Sequence, residues 1–312
     1  MEENKNNDLV KIHIKNEEIY LDSKEISNLY LELKENIIEN YESFQIKPFN
    51  LIKRKNIEFK VVFDPDRIEF WKKYETLKWE NEIFNTIEKY VSNDSYFIDI
   101  GAWIGPVSLF AKNYASKLIL FEPDPEAFKN LQKNFELNHK NKLENNIFLN
   151  ELAVVSDNKK KINLNSKKFG DSGSSIYAEN RSKQIQVNTI NFVDIINKYN
   201  LTDKKLFFKI DIEGYEYELL LKNKDILKKL DASIFFSLHP VYIIQKFYGK
   251  NKNKFLQIIY FIYIYFKIFY KFPFKHILIT RKKISLLKLV LKMILYGLPK
   301  ELHIFCTNKM VK

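Results

Sequence analysis

Strand and helix patterns alternate from Phe97 to Pro240, which predicts an α/β domain on a Rossmann-like, largely parallel sheet with helices on both faces. Two observations carry this. Five short apolar runs (Phe97–Ile100, Lys117–Phe121, Ile147–Leu149, Leu206–Ile210 and Ser233–Leu238) lack the polar alternation of a half-exposed strand. Each is also followed by a polar or acidic turn: Asp99 with Gly101, Glu122-Pro123-Asp124-Pro125, Asn150-Glu151, Asp211-Ile212-Glu213-Gly214 and His239-Pro240. In an open α/β sheet, ligands settle outside such carboxyl ends.

The elements follow in order. Residues 1–60 are rich in Glu, Lys and Asn, and Ile26 to Tyr41 carries helical periodicity, so an N-terminal helical extension is expected. Ile57–Phe63 alternates as a strand and runs into Asp64-Pro65-Asp66. Such an acidic pair can hold a metal in sugar-transferring enzymes, but Pro65 makes a simple turn the better explanation. Helices are expected across Arg67–Tyr90. The main domain then spans 61–312. Residues 156–188 form an excursion of two strands, Lys161–Leu164 and Gln184–Val187, around a flexible Gly170–Ser175 loop. Leu302–Thr307 supplies a last, antiparallel strand, and 241–300 form a basic, aromatic, helical insertion or lid before it.

Composition narrows the classes. The 312 residues are 46% hydrophobic and 29% charged, enough for a large core in a soluble chain. The single cysteine, Cys306, rules out an intrachain disulfide, and the opening Met1-Glu2-Glu3-Asn4 has no secretory pattern. A cytoplasmic setting is therefore expected. The net charge of +12 is uneven: residues 241–312 hold 15 Lys and Arg against one acid, while 1–240 hold 36 basic and 38 acidic residues. Phe255–Tyr270 is too interrupted to span a bilayer. Arg281, Ser285, Lys288 and Lys292 draw a narrow basic face on an apolar helix ending at Gly297. That pattern suits either a lid with its lysines in water or a helix lying on an anionic membrane surface through 255–296, at the inner face.

At the centre stands Asp99-Ile100-Gly101-Ala102-Trp103-Ile104-Gly105. A strand ending in an acid and turning on glycine into a helix is expected to leave free backbone N–H groups for a nucleotide-like ligand. Glu122 lies 21 residues beyond Gly101, the distance at which a carboxylate meets both ribose hydroxyls. Glu122 supports an adenosine cofactor without separating a nicotinamide dinucleotide from S-adenosylmethionine. The acid before the first glycine, the absence of a third glycine at Trp103-Ile104 and the antiparallel last strand tilt towards S-adenosylmethionine.

These residues resemble the FkbM-type S-adenosylmethionine-dependent methyltransferases. The resemblance is carried by Asp99 to Gly105, by Phe121-Glu122-Pro123-Asp124-Pro125 with Phe128 and Asn134, by Val187–Ile190 and above all by Lys209-Ile210-Asp211-Ile212-Glu213-Gly214-Tyr215-Glu216. It implies the seven-stranded methyltransferase sheet and O-methylation of a sugar, glycan or glycolipid-type hydroxyl. It also implies that Asp99, Gly101, Ala102, Trp103 and Gly105 line the methionine end, that Glu122 and Pro123 meet the ribose and that Glu151 lies near the adenine. Methyl transfer to a hydroxyl calls for alignment and a base. His239 is the first candidate, because its ordinary pKa suits the task, and Asp211 the second. Glu213 and Glu216 would orient neighbours, and Lys209 would position a carboxylate. Asp211 with Glu213 offers oxygen ligands to a divalent metal, but two carboxylates are too few to define a site. The alternatives are a non-catalytic membrane-surface module on the same fold, a nicotinamide-dependent oxidoreductase, and a nucleic-acid enzyme. The last is disfavoured because the fourth strand ends in Asp-Ile-Glu-Gly and not in a base-methylating Asn-Pro-Pro-Tyr type of loop.

Overall fold

In the computed structural model, the described residues are 10–14, 17–21, 49–138, 145–177, 182–248, 253–279 and 286–309. The chain divides into two compact units, 1–81 with 133–142, and 82–132 with 143–312.

The first unit departs from expectation. Four strands, Val10–Ile14 (β1), Glu17–Leu21 (β2), Phe49–Arg54 (β3) and Ile57–Val62 (β4), form an antiparallel sheet in the order β2-β1-β3-β4. The described part of the supposed helical extension is therefore strand; the periodic stretch Ile26–Tyr41 lies outside the described residues. Periodicity missed β3 because only its Asn50, Ile52 and Arg54 face inward, and two of those three are polar. Asp64 caps a 3-10 turn, Pro65–Arg67, and pairs with Arg67 at 2.7 Å, which accounts for the acidic pair without a metal. Helix Ile68–Glu75 (α1) follows, and Phe59, Phe70, Trp71 and Tyr74 pack edge to face. The fully buried Arg54 guanidinium ties this unit together. It donates to the Tyr74 carbonyl, to the Trp79 carbonyl at 3.2 Å and to Asn81 Oδ1 at 2.9 Å.

The second unit holds the site. Its strands are Ser95–Ile100 (β5), Lys117–Phe121 (β6), Ile147–Asn150 (β7), Ala153–Val155 (β8), Lys161–Ser166 (β9), Lys183–Asn191 (β10), Lys205–Ile210 (β11), Asp231–Leu238 (β12), His276–Ile279 (β13) and Leu302–Thr307 (β14). Seven of them form one sheet in the order β13-β14-β12-β11-β5-β6-β7. The five strands from β12 to β7 are parallel, and β14 runs antiparallel between β12 and β13. Both faces are buried. Even-numbered residues such as Ile98, Phe208 and Phe236 enter the main core, while Phe97 stacks on Phe207 across the other face at 5.5 Å. β13 went unread in the sequence because its four residues sit inside the aromatic insertion and carry no turn signal of their own. β9 and β10 contain the two expected excursion strands and pair antiparallel, with β8 added at the other edge of β10.

Strand order reverses at β5, so the chain leaves β5 for β6 on one side and returns to β11 on the other. That switch point opens a crevice at the carboxyl ends of β5 and β11. Gly101, with φ +84°, closes it tightly: a Cβ there would stand 1.8 Å from the Asp211 carbonyl oxygen.

Two substitutions test these anchors. Gly101→Ala adds both the clash and a left-handed strain, and should cost about 3–5 kcal/mol in denaturant unfolding. Arg54→Ala removes the bonds to the Tyr74 and Trp79 carbonyls and to Asn81 and empties a fully buried site, and should cost roughly 2–4 kcal/mol. A cost under about 1 kcal/mol for either variant would contradict the packing described.

Candidate active site

The turn after β5 is built by its neighbour. Gly101 N and Ala102 N both donate to the Phe121 carbonyl, at 2.9 and 3.0 Å. Trp103 N donates to Glu122 Oε2 at 2.7 Å, and Gly105 N to the Ala102 carbonyl at 2.9 Å. These N–H groups are thus spent, against the expectation that they stand free, because β6 continues alongside the turn and offers acceptors. A turn arranged this way is no phosphate cradle. Trp103 (φ +51°) and Gly105 (φ +88°) complete the bend into helix Pro106–Ala111 (α2).

Glu122 lies just past the end of β6, 7% exposed. One oxygen accepts Trp103 N and the other accepts Asp124 N at 2.9 Å, which leaves each oxygen a second lone pair. Burial pushes its carboxyl up to about 7, against the opposing pull of those two N–H groups. A buried carboxylate with two unspent acceptor directions fits a ribose diol. Asp124 does a different job. Its Oδ1 accepts Glu126 N and Ala127 N, capping helix Pro125–Leu137 (α3), and its Oδ2 accepts Gly170 N at 3.0 Å and Ser174 Oγ at 2.7 Å. Trp103 Nε1 then donates to the Gly170 carbonyl at 2.8 Å. The Gly170–Ser175 loop is therefore pinned against the turn.

Asp99 and Lys209 are register partners on β5 and β11, so their side chains emerge on one face side by side. Lys209 Nζ lies 3.2 Å from Asp99 Oδ1 and donates to the Gly101 carbonyl at 2.6 Å. Ser108 Oγ bonds the other Asp99 oxygen. Burial pushes the Asp99 carboxyl up, and Lys209 and Ser108 pull it back. Asp99 is completely buried, with Oδ2 bonded to Ser108 and Oδ1 facing the Lys209 ammonium.

A second cluster gathers at the ends of β11 and β12. Glu213 takes a left-handed φ of +52°, and Gly214, at φ +111°, leaves no space for a Cβ, which would stand 2.7 Å from Tyr242 Cβ. Glu216, fully buried at the start of helix Glu216–Lys222 (α4), accepts Ile212 N and Gly214 N, both at 2.9 Å, and so locks this bend. The same residue lies 3.1 Å from His239 Nδ1. The other imidazole nitrogen, Nε2, points at Asp211 Oδ1 (3.7 Å), Glu213 Oε1 (3.7 Å) and Glu301 Oε1 (3.9 Å). Burial alone would lower the His239 pKa, but Glu216, Glu213 and Asp211 together hold it well above the usual 6.5. Glu301, held down to about 2 against its own burial, sits 2.9 Å from His303 Nε2.

Of the residues singled out by sequence, Gly101, Ala102, Trp103, Gly105, Glu122 and Pro123 share the rim formed by β5 and β6, and Asp99 with Lys209 lies beneath it. Asp211, Glu213 and His239 converge beside it. Glu151 is exposed just past β7. Glu301 was missed, as were the Asp124 cap and Ser108. The expected antiparallel last strand was the available signal for Glu301, since such a strand brings its first residues to the carboxyl end of β12.

The Methyltransferase FkbM domain family matches residues 99–268, which include both clusters up to His239. A search of curated protein sequences finds no match. Among solved structures, Methyltransferase FkbM from Methylobacillus flagellatus is 14% identical, with 56% of this chain and 44% of that one covered at a TM-score of 0.34. Trm5b from Pyrococcus abyssi is 13% identical over 97% and 64% (TM-score 0.37). The M. jannaschii tRNA m1G37 methyltransferase is 14% identical over 84% and 55% (TM-score 0.36). The chain thus spans about half to two thirds of the length of the Trm5 structures. With the family covering more than half of its residues, the chain belongs to the FkbM methyltransferases, enzymes that use S-adenosylmethionine.

Proposed function

We propose that this chain methylates a hydroxyl oxygen of a sugar, glycan or glycolipid-type acceptor. The observation that carries this reading is the convergence of Asp211, Glu213 and His239 beside the cofactor turn, because such groups accept and orient O–H donors. The residues around the turn fit the cofactor: Glu122 would take the ribose hydroxyls, and Gly101 to Gly105 would line the methionine end. Bound there, S-adenosylmethionine supplies an electrophilic methyl on a sulfonium leaving group. The chain's own task is then to place one hydroxyl in line and receive its proton. Asp211 is the acceptor of that proton in this reading, with Glu213 holding a neighbouring hydroxyl and His239 fixing both carboxylates. Lys209 keeps Asp99 and the Gly101 carbonyl in register with Asp211. Carboxylates facing the acceptor repel the phosphates of a nucleic acid, which argues against that substrate.

The setting we propose is peripheral, at the inner face of a membrane. No helix among the described residues is long and apolar enough to cross one. Helix Lys254–Phe269 instead buries Ile258, Phe261, Ile264 and Ile268 against the core and turns Phe255, Ile259, Tyr263 and Phe266 outward. Lys267 and Lys271 stand beside the outward Tyr263 and Tyr270 rings. Asn253 is the N-cap of this helix. Of the second basic face, Arg281 and Ser285 lie outside the described residues.

Three outcomes are expected. Calorimetry should show S-adenosylmethionine binding that is lost in Glu122→Ala, while Asp211→Asn keeps the affinity within threefold and loses about 10²–10⁴ in kcat on a sugar acceptor. Wild-type binding in Glu122→Ala would sink the ribose assignment. Glu122 also predicts a pH dependence. Its folded pKa stands above the ordinary 4.5, so the folded state holds the extra proton. This contribution to stability falls by about 3 kcal/mol as pH rises from 4.5 to 7, and cofactor affinity strengthens over the upper part of that range as acceptors are freed. Comparing denaturant unfolding of wild type and Glu122→Gln at pH 5 and 8 isolates the slope. Liposome flotation should show binding to phosphatidylserine vesicles that weakens with salt and with Phe255→Ser/Phe266→Ser; equal recovery on neutral vesicles would remove the electrostatic part of the proposal.

A further inference from the structure

We infer that Asp211, His239 and Glu301 form a binding site for one divalent cation. The ligand atoms of the first three lie within 4.8 Å of one another. His239 Nε2 stands 3.7 Å from Asp211 Oδ1, 3.7 Å from Glu213 Oε1 and 3.9 Å from Glu301 Oε1. These separations are too long for hydrogen bonds. They match the spacing of ligands that share one ion at roughly 2.1 Å, whose mutual distances fall at about 3–4 Å.

Acidic residues at a strand end would not by themselves make a site. The independent observation is the imidazole. His239 is more than nine-tenths buried, its Nδ1 is engaged by the buried Glu216 carboxylate at 3.1 Å, and its Nε2 is aimed into the acidic cluster with no hydrogen bond among the described residues. A histidine oriented from behind by a carboxylate, with the other nitrogen presented forward, is the arrangement that metal-binding histidines share. The groups behind the ligands are themselves placed: Glu301 lies 2.9 Å from His303 Nε2, Asp211 lies 3.8 Å from Lys209 Nζ, and Glu216, behind His239, is fixed by two backbone N–H groups.

One nitrogen and two carboxylates suit a borderline ion such as Mn2+ or Zn2+ better than Mg2+. Open coordination positions would face the acceptor. On the proposed function, an acceptor hydroxyl bound there becomes more acidic and is held in line for transfer. That use rests on the acceptor reading, whereas the site itself does not.

The test is calorimetry of the chelator-stripped full-length chain with MnCl2, with S-adenosylmethionine titrated separately into the same preparation. One Mn2+ per chain should bind, with affinity falling tenfold or more in both Glu301→Gln and His239→Asn. Mn2+ should raise the melting temperature of wild type but not of Glu301→Gln, whose own melt and unaltered S-adenosylmethionine binding report that it is folded. Absence of Mn2+ and Zn2+ binding to wild type, or binding unchanged in both variants, overturns the site. If Mn2+ binds as described but S-adenosylmethionine does not, the cation site stands and the methyl-transfer reading falls.

Discussion

The buried Lys209–Asp99 pair is the constraint on which the site depends. Adjacent parallel strands put register partners side by side, so a lysine and an aspartate at the last turns of β11 and β5 must meet on the same face. Neither is free to reach solvent. A buried ion pair of this kind adds little net stability, but leaving one partner unpaired there costs about 3–5 kcal/mol. Its value here is positional. Lys209 also bonds the Gly101 carbonyl and approaches Asp211, so one ammonium sets the spacing between the turn after β5 and the Asp211–His239 cluster.

From that fixed point the two halves of the site are built by different means. At the turn after β5, β6 supplies the acceptors that spend its N–H groups, and Asp124 reaches 46 residues along the chain to bring the Gly170 loop against Trp103. At the ends of β11 and β12, one buried carboxylate, Glu216, both locks the strained Glu213-Gly214 bend and orients His239. Each half therefore has a buried polar residue that decides where its neighbours stand.

The outer helix shows the same division of labour. Its buried face is an ordinary apolar stripe on the core, and its outward face carries rings flanked by lysines. Read along the sequence, both faces look alike, because Phe, Ile and Tyr occur on all sides. Only packing shows which of them the core consumes and which are left for a partner.

Much of the second unit was legible in the sequence, for a physical reason. Strands buried on both faces must be uninterrupted apolar runs, and the loops after them must be polar, so β5, β6, β11, β12 and β14 announce themselves, as does the Asp99–Gly105 turn between them. Strands whose inward positions are polar, such as β3, or which lie among aromatic helices, such as β13, give no such signal. The residue types of the site were legible too, but not their partners or protonation. Glu301 stands 62 residues beyond His239, and they meet only because β14 runs antiparallel, setting Leu302 opposite Leu238. Local sequence determined which strands and which strand-end acids this chain has. Only the tertiary structure decided that Asp99 is buried against Lys209 and Ser108 and that Glu216 turns His239 towards Asp211 and Glu301, because burial and through-space contacts set those properties and neither is written in the order of the residues.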